Sequence, residues 1–374
     1  MGLKPTGEKE VLGRVLVIGG CGFLGHHIVQ QLHSSYDCTV SILDLQTTRN
    51  RLLDTTGVRY FEGDITSIDS ILPIFEETKP DIVIHTASPT LTGGSRQLYQ
   101  RVNIDGTKCV IEACQKTRVT ALVYTSSASI ISDNATDLIN ADERWPIIPA
   151  NAQTEFYSVT KAEAEAYVLA ANRAVDHSLL LTCALRPAGI FGEGDVQLIP
   201  NMLDAYYTSK TGFQLGNNTN LFDFTYVGNV AEAHILAATA LLATSRLSTI
   251  PLSHERVDGE AFMITNDEPV YFWDFARAVW KVAGNERGIE HVWVIGQTTG
   301  LFLATLLEWG MWALGRTPKL TRRQVKYSCM TRYYDCTKAK RLLGYQPSTS
   351  LEKGIEKSVK WFEEKRASEN PITK

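Results

Sequence analysis

The aliphatic run Val15-Leu16-Val17-Ile18 leads directly into Gly19-Gly20-Cys21-Gly22-Phe23-Leu24-Gly25, and this junction constrains the chain more than any other feature. A short apolar run without alternation is the pattern of a strand buried on both faces, as in a parallel sheet. The segment after the glycines reads as helix, because Leu24, Ile28 and Leu32 recur every fourth residue. Between strand and helix lie four glycines in seven residues. Glycine there permits a turn that other residues avoid and leaves the backbone bare. The free N–H groups and positive dipole end of the adjoining helix suit an anion laid against that bare backbone.

The spacing satisfies G-x-x-G-x-x-G from Gly19 and G-x-G-x-x-G from Gly20. Such a motif is weak alone; a strand before it, a helix after it and an acid at the next strand end make it specific. That acid is Asp44, 19 residues past Gly25, at the end of the strand-like Val40-Ser41-Ile42-Leu43. A carboxylate there accepts bonds from both ribose hydroxyls and repels a 2′-phosphate. The loop therefore reads as a dinucleotide site, with Gly19, Gly22, Phe23, Leu24, Gly25 and Asp44 as candidate contacts. NAD is favoured over NADP, and nearby Arg49 keeps NADP open.

Strand-like runs recur at Ile82–Ile84, Ala121–Tyr124 and Leu179–Leu185, with a helical pattern over Ile68–Glu77. Alternation of this kind predicts an α/β fold: a doubly wound parallel sheet of Rossmann type with ligands at the carboxyl ends of its strands. From Gly192 the alternation loosens into loops and helices carrying Tyr206, Tyr207, Phe213, Phe222 and Phe224. The expected division is a nucleotide-binding domain over 11–191, then a smaller C-terminal substrate lobe over 192–374 with returns to the main sheet.

Among 374 residues, 37 Lys and Arg stand against 41 Asp and Glu, so no global basic footprint for nucleic acid is present. Seven scattered cysteines, with no C-x-x-C pair, predict neither a disulfide framework nor a zinc site. They fit a reducing compartment. The eight histidines show no ligand spacing, and no metal is expected. The first ten residues hold no apolar segment, so no secretory signal is expected, although Met1-Gly2 and Thr6 formally match an N-acylation pattern.

Tyr157 and Lys161 form Y-x-x-x-K, which on a helix places both side chains on one face. A phenol of pKa about 10 is a poor base at neutral pH. A neighbouring ammonium is expected to stabilise the phenolate and lower that pKa. Removing a hydride from an alcohol needs a base for the hydroxyl proton, and Tyr157 supplies one. Thr125-Ser126-Ser127 ends the strand Ala121–Tyr124, so either serine could orient a substrate oxygen or merely cap the loop.

Together these residues resemble the extended short-chain dehydrogenase/reductase superfamily. Four further stretches narrow the likeness to the 3β-hydroxysteroid dehydrogenase family. They are Val83-Ile84-His85-Thr86-Ala87-Ser88-Pro89, Val102-Asn103-Ile104-Asp105-Gly106-Thr107, Leu185–Gly192 and Asp223–Ala231. The resemblance spans about Val15 to Glu363. It implies Ser127 as the catalytic serine with Ser126 structural, and Asn103 as the residue ordering the catalytic helix. It also implies Asp64 and Ile65 beside the adenine, Ala87 and Ser88 along the cofactor, and Pro187 and Ala188 passing the nicotinamide. Plainer roles compete: Asn103 as a helix cap and Asp64 as a turn closer. Glu193 stands where the family commonly has proline.

The activity implied is NAD(P)-dependent oxidation of a 3β-hydroxysterol bearing a 4α-carboxylate, giving the 3-ketone with loss of CO2, in sterol or related triterpenoid biosynthesis. Two alternatives stand beside it. One is a nucleotide-sugar epimerase or dehydratase of the same superfamily, and the other a non-catalytic NAD-sensing protein.

The most apolar segment is Leu301–Leu314, within 298–315, interrupted by Glu308 and Gly310 and followed by Arg316, Lys319, Arg322, Arg323 and Lys326. Fourteen residues fall short of the ~20 that span a bilayer. Three readings compete: an interfacial anchor on an anionic membrane surface, a buried lid over the substrate pocket, and a dimer contact. With a membrane-dissolved substrate the first places the protein on the cytoplasmic face of the endoplasmic reticulum or on a lipid droplet, as a possible homodimer or member of a biosynthetic complex. Any of the basic residues could meet a substrate carboxylate.

Overall fold

A computed structural model describes residues 9–90, 93–174, 179–316 and 320–369. The acylation match at Met1-Gly2 and Thr6, and Lys319 of the basic run, lie outside these described residues.

Seven parallel strands form the main sheet. In spatial order they are Glu260–Ile264, Leu181–Pro187, Ala121–Thr125, Ile82–His85, Glu10–Ile18, Tyr36–Asp44 and Arg59–Glu62. The order reverses at the first strand, Glu10–Ile18, which lies between Tyr36–Asp44 and Ile82–His85. A crevice opens outside the carboxyl ends at such a switch point. Every residue of Ile82–His85, Ala121–Thr125 and Leu181–Pro187 is buried, because helices cover both faces.

The period-two geometry of a strand sorts its side chains between two cores. Val15 and Val17 join the helices Phe23–Ser35 and Val227–Ser245 on one face. Leu16 and Ile18 join the helices Ile68–Thr78, Thr107–Lys116 and Phe156–Ala170 on the other. The Val227–Ser245 helix is long and apolar enough to cross a membrane, yet it is mostly buried, packed on the sheet beside Phe23–Ser35. A helix apolar on all sides requires such a place.

Residues beyond 192 contribute this helix and the edge strand Glu260–Ile264 to the main body. They also form most of a second sheet, ordered Val270–Tyr271, Leu221–Phe222, Arg332–Tyr334, Leu138–Ala141. Aromatic residues of this sheet and of the neighbouring helices and strand pack against one another: Phe224 stacks on Phe275 at 3.8 Å, and Phe222 meets Phe272 and Tyr327.

The apolar segment forms the helix Gln297–Ala313 at the surface. Phe302, Leu306, Trp309 and Trp312 are exposed, the last two at 71% and 81%, whereas Ala304 is buried. Burial as a lid inside the protein is therefore not its state: the helix rests on the body along a narrow strip and leaves its large side chains outward. The helix Arg322–Cys329 packs beside it, and Glu308 pairs with Arg322 at 2.6 Å.

Candidate active site

The glycine loop closes on itself. The Gly22 N–H donates to the Gly19 carbonyl at 3.0 Å, and Gly19 adopts φ +82°. A Cβ on Gly25 would collide with that same carbonyl, and one on Gly19 would lie 2.7 Å from the Ala87 nitrogen. The helix Phe23–Ser35 starts with no side-chain cap and no acid in its first turn. Bare backbone beside an uncapped helix start fits a pyrophosphate. Asp44 stands at the loop mouth, where one carboxylate oxygen accepts from the Cys21 N–H at 2.9 Å. Its other oxygen accepts no bond from the described residues and is free for a ribose hydroxyl. Arg49 is exposed nearby, whereas Arg51 is engaged with Asp54 and lies over the Tyr60 ring. Asp64 closes a turn, accepting from the Thr66 N–H and hydroxyl at 2.9 and 2.8 Å, while Ile65 packs inward against Gly106.

At the carboxyl end of Ile82–His85, Ala87 backs directly onto Gly19. Ser88 donates to Asn103 Oδ1 at 2.9 Å, and Asn103 Nδ2 donates to the Thr160 hydroxyl at 2.9 Å. Thr160 in turn bonds the Tyr157 carbonyl at 2.8 Å. Asn103 thus ties the strand end to the Tyr157 helix and caps nothing. It sits in a wide π-helical turn, Gln100–Gly106, of the kind that accommodates functional residues inside helices.

Tyr157 and Lys161 lie one turn apart on Phe156–Ala170. The Tyr99 ring meets Tyr157 edge-on at 5.8 Å. Burial pushes the Tyr157 phenol up to about 12, opposed by the Ser88 hydroxyl beside it. Lys161 Nζ donates to the Thr125 carbonyl at 2.6 Å and to the Tyr124 hydroxyl at 3.3 Å. Burial lowers the Lys161 ammonium to about 7, with Glu165 one turn on opposing. The expectation that this ammonium acidifies the phenol is thus corrected. The sequence spacing puts both on one face, but desolvation disfavours both charges, and the amine turns to the nearest carbonyl. His85 and His234 are buried, and burial lowers both imidazoles; His85 bonds the Thr107 hydroxyl at 3.1 Å and His234 the Thr125 hydroxyl at 2.8 Å.

Ser127 caps the turn Ala128–Ile131, accepting from the Ser129 N–H at 3.1 Å. Its hydroxyl also bonds Ser129 Oγ at 2.9 Å, and Ser158 donates to Ser129 at 2.8 Å. This short hydroxyl chain runs to the neighbour of Tyr157. The Ser126 N–H ties to the Leu185 carbonyl at 2.7 Å, a structural bond. Pro187 ends its strand, and Ala188 bonds the Ile264 carbonyl at 3.0 Å. Sequence reasoning missed Ser129, Ser158 and the buried pair Glu165–Arg186 at 2.5 Å. The serine-rich stretch and a Glu four residues past Lys161 were the available signals.

The profile of the 3-beta hydroxysteroid dehydrogenase/isomerase family matches residues 16–294. The chain is 43% identical to "Sterol-4-alpha-carboxylate 3-dehydrogenase ERG26, decarboxylating" of Saccharomyces cerevisiae, over 94% of this chain and 98% of that one. It is 37% identical to the human "Sterol-4-alpha-carboxylate 3-dehydrogenase, decarboxylating", over 93% and 88%. In structure it is similar to the Bordetella bronchiseptica enzyme WbmH in complex with NAD+ (TM-score 0.68, 19% identity, 94% and 99% covered). It is also similar to the Thermus thermophilus UDP-glucose 4-epimerase complex with NAD (TM-score 0.67, 23% identity, 94% and 99% covered), and both show the shared fold. With the glycine loop, Asn103, Tyr157 and Lys161 assembled on that fold, the chain belongs to the 3β-hydroxysteroid dehydrogenase family.

Proposed function

We propose that the protein oxidises the 3β-hydroxyl of a 4α-carboxysterol, or a related triterpenoid, and releases the C4 carboxyl as CO2, using NAD. The observation that carries this reading is the convergence of Tyr157, Lys161, Asn103 and Ser88 at the strand ends beside the glycine loop. The names of relatives aligned over nearly the full chain supply the substrate class.

NAD, when bound, supplies the hydride acceptor and a positively charged ring. The glycine loop, the start of Phe23–Ser35 and the free oxygen of Asp44 would hold it, and Asp44 favours it over NADP. Tyr157 takes the proton of the C3 hydroxyl as the hydride leaves C3; the burial that pushes its phenol up would be offset by the positive charge that NAD supplies when bound, which favours the phenolate. The product is a 3-ketone with a carboxylate on the adjacent carbon. The C4–carboxyl bond then breaks, CO2 departs, and its electron pair forms an enolate on the C3 oxygen. The Ser127 hydroxyl and the now neutral Tyr157 donate to that oxygen. The Ser127–Ser129–Ser158 chain keeps the Ser127 donor oriented.

The exposed apolar helix Gln297–Ala313 supports work at a membrane surface. Its length, 17 residues, suits lying in the interface better than crossing. Exposed Arg316 and Lys326 add attraction to anionic headgroups. A sterol substrate would then enter from lipid, on the cytoplasmic face of the endoplasmic reticulum or on a lipid droplet.

The decisive assay incubates the protein with NAD and a 4-carboxy-3β-hydroxysterol and measures NADH and CO2 together. Equimolar formation is expected, and Tyr157→Phe should bind NAD normally while losing at least ~1000-fold in turnover. Undiminished turnover by that variant would refute the mechanism.

A further inference from the structure

Lys161 is 2% exposed, and an ammonium placed there has three protons to satisfy. Two go to consecutive residues of the strand Ala121–Thr125, the Tyr124 hydroxyl and the Thr125 carbonyl. Side chains of neighbouring strand residues point to opposite faces, and here each leads to a buried histidine. The Thr125 hydroxyl bonds His234 Nε2 at 2.8 Å, and His234 Nδ1 bonds the Val230 carbonyl at 2.7 Å. A carbonyl only accepts, so Nδ1 carries the proton of a neutral His234 and Nε2 accepts from Thr125. Both nitrogens of this arm are matched.

The other arm differs. Tyr124 pairs in register with His85 on the neighbouring strand, and their ring centres lie 5.5 Å apart. Thr107, first residue of the helix Thr107–Lys116, hydrogen-bonds the Tyr124 hydroxyl and meets His85 Nε2 at 3.1 Å. All three residues are buried. An ammonium can only donate, so the Tyr124 oxygen accepts from Lys161 and its own proton turns to Thr107. The Thr107 proton then turns to His85 Nε2, which puts the proton of a neutral His85 on Nδ1. That nitrogen is buried and meets no partner among the described residues. An unmatched buried N–H is costly and calls for a reason. The strand residues before Tyr124 are the apolar Ala121, Leu122 and Val123, and a phenylalanine would fill the same place. What the Tyr124 hydroxyl adds is an acceptor for Lys161.

We propose that Tyr124, oriented by Thr107 and His85, is a positioning residue for Lys161: it holds the charged amine at the carboxyl end of the strand with the third proton directed to the ribose of bound NAD. This rests on the NAD reading above and is independent of which sterol reacts. Facing the amine are Tyr157 and Glu165 from its own helix, Tyr124 and the Thr125 carbonyl from the strand, His85 from the next strand and His234 from Val227–Ser245. Glu165 is the one carboxylate of that set, and Arg186 holds it. Burial disfavours the charged amine, so each acceptor counts. Without the Tyr124 hydroxyl the amine gives up its proton at lower pH, and the charge-assisted bond to the ribose goes with it.

The test titrates NAD onto the wild type, Tyr124→Phe, Thr107→Val, Thr107→Ser, Lys161→Met and the double variant Tyr124→Phe with Lys161→Met, between about pH 6 and pH 9, with no sterol present. Thermal melting reports that each variant is folded. Wild-type affinity should fall as pH rises and the amine discharges. In Tyr124→Phe the fall should begin about one pH unit lower, with the gap widest near neutrality, roughly fivefold, and closing on either side. Thr107→Val should move the fall the same way by less, and Thr107→Ser should restore it; this pair carries the comparison should Tyr124→Phe not fold. Lys161→Met should show no such fall, and adding Tyr124→Phe to it should change nothing further. A loss equal at every pH, or a Tyr124→Phe effect that survives without Lys161, would overturn the assignment. Thr107→Val with the wild-type profile would overturn the part given to Thr107 and His85. A wild type that binds no NAD at any pH defeats the NAD reading itself, whereas a wild type that binds it, with Tyr124→Phe indistinguishable, defeats only this proposal.

Discussion

The glycine loop and the helix Gln297–Ala313 both break an ordinary rule of folded chains, in opposite ways. The loop leaves backbone polar groups bare in a place where the surrounding atoms admit no side chain. The helix leaves large apolar side chains bare in a place where none of the described residues covers them. The first is a cavity shaped from inside, with each atom fixed by a neighbour. The second is a patch defined by what lies outside the molecule. A defect of the first kind calls for a small ligand of set geometry, and one of the second kind for an extended medium such as lipid.

Substitutions can press on each half of that contrast. Gly25→Val places a side chain against the Gly19 carbonyl, and NAD affinity should fall by about a thousandfold, equivalent to about 4 kcal/mol, in a direct titration. Near-wild-type affinity would mean that the loop is not the pyrophosphate site. Trp309→Glu with Trp312→Glu should lower the fraction of protein that sediments with anionic sterol-containing liposomes by on the order of a hundredfold in partition coefficient, leaving NAD binding intact. If the double variant sediments as the wild type does, the exposed face serves something other than lipid.

A smaller effect sharpens the loop side. Asp44→Asn removes the charge facing the ribose and should raise the NADP/NAD ratio of kcat/KM roughly tenfold. An unchanged ratio would mean that Arg49 or the loop backbone decides the choice. The smallest effect concerns the buried ammonium. Lys161 is pushed down to about 7 in the folded protein, well below its ordinary value. Between those two values the unfolded chain holds the extra proton, so this group's contribution to stability rises with pH across that window. Lys161→Met should melt a few degrees higher than the wild type at pH 6, with the gap closing towards pH 10. A gap that stays constant with pH would show that the amine is not desolvated as described.

The parts legible in the sequence are those dictated by local backbone demands. Glycines at a strand–helix junction, an acid ending the next strand and a Tyr–Lys pair one helical turn apart announce themselves within a few residues. Most strands are visible too, with bounds that come out too short at their half-exposed beginnings, as at Glu10–Gly13. Features made by distant segments are silent. Arg332 gains its place from pairing with Leu138, nearly two hundred residues earlier. The Lys161 amine reaches the Thr125 carbonyl, and Glu165 meets Arg186, through contacts that no spacing encodes. The apolar run after residue 300 announces reluctance to face water and gives no hint of which partner relieves it.

The late position of the Val227–Ser245 helix and the Glu260–Ile264 strand has a consequence for biosynthesis. Both complete one flank of a sheet whose other six strands are already synthesised by residue 187. A nascent chain that has emerged only that far holds an apolar flank with half its cover missing, and it waits for some eighty more residues before that flank is sealed. Cutting the gene after residue 191 would thus yield a sticky, chaperone-dependent fragment in place of a free-standing nucleotide-binding module.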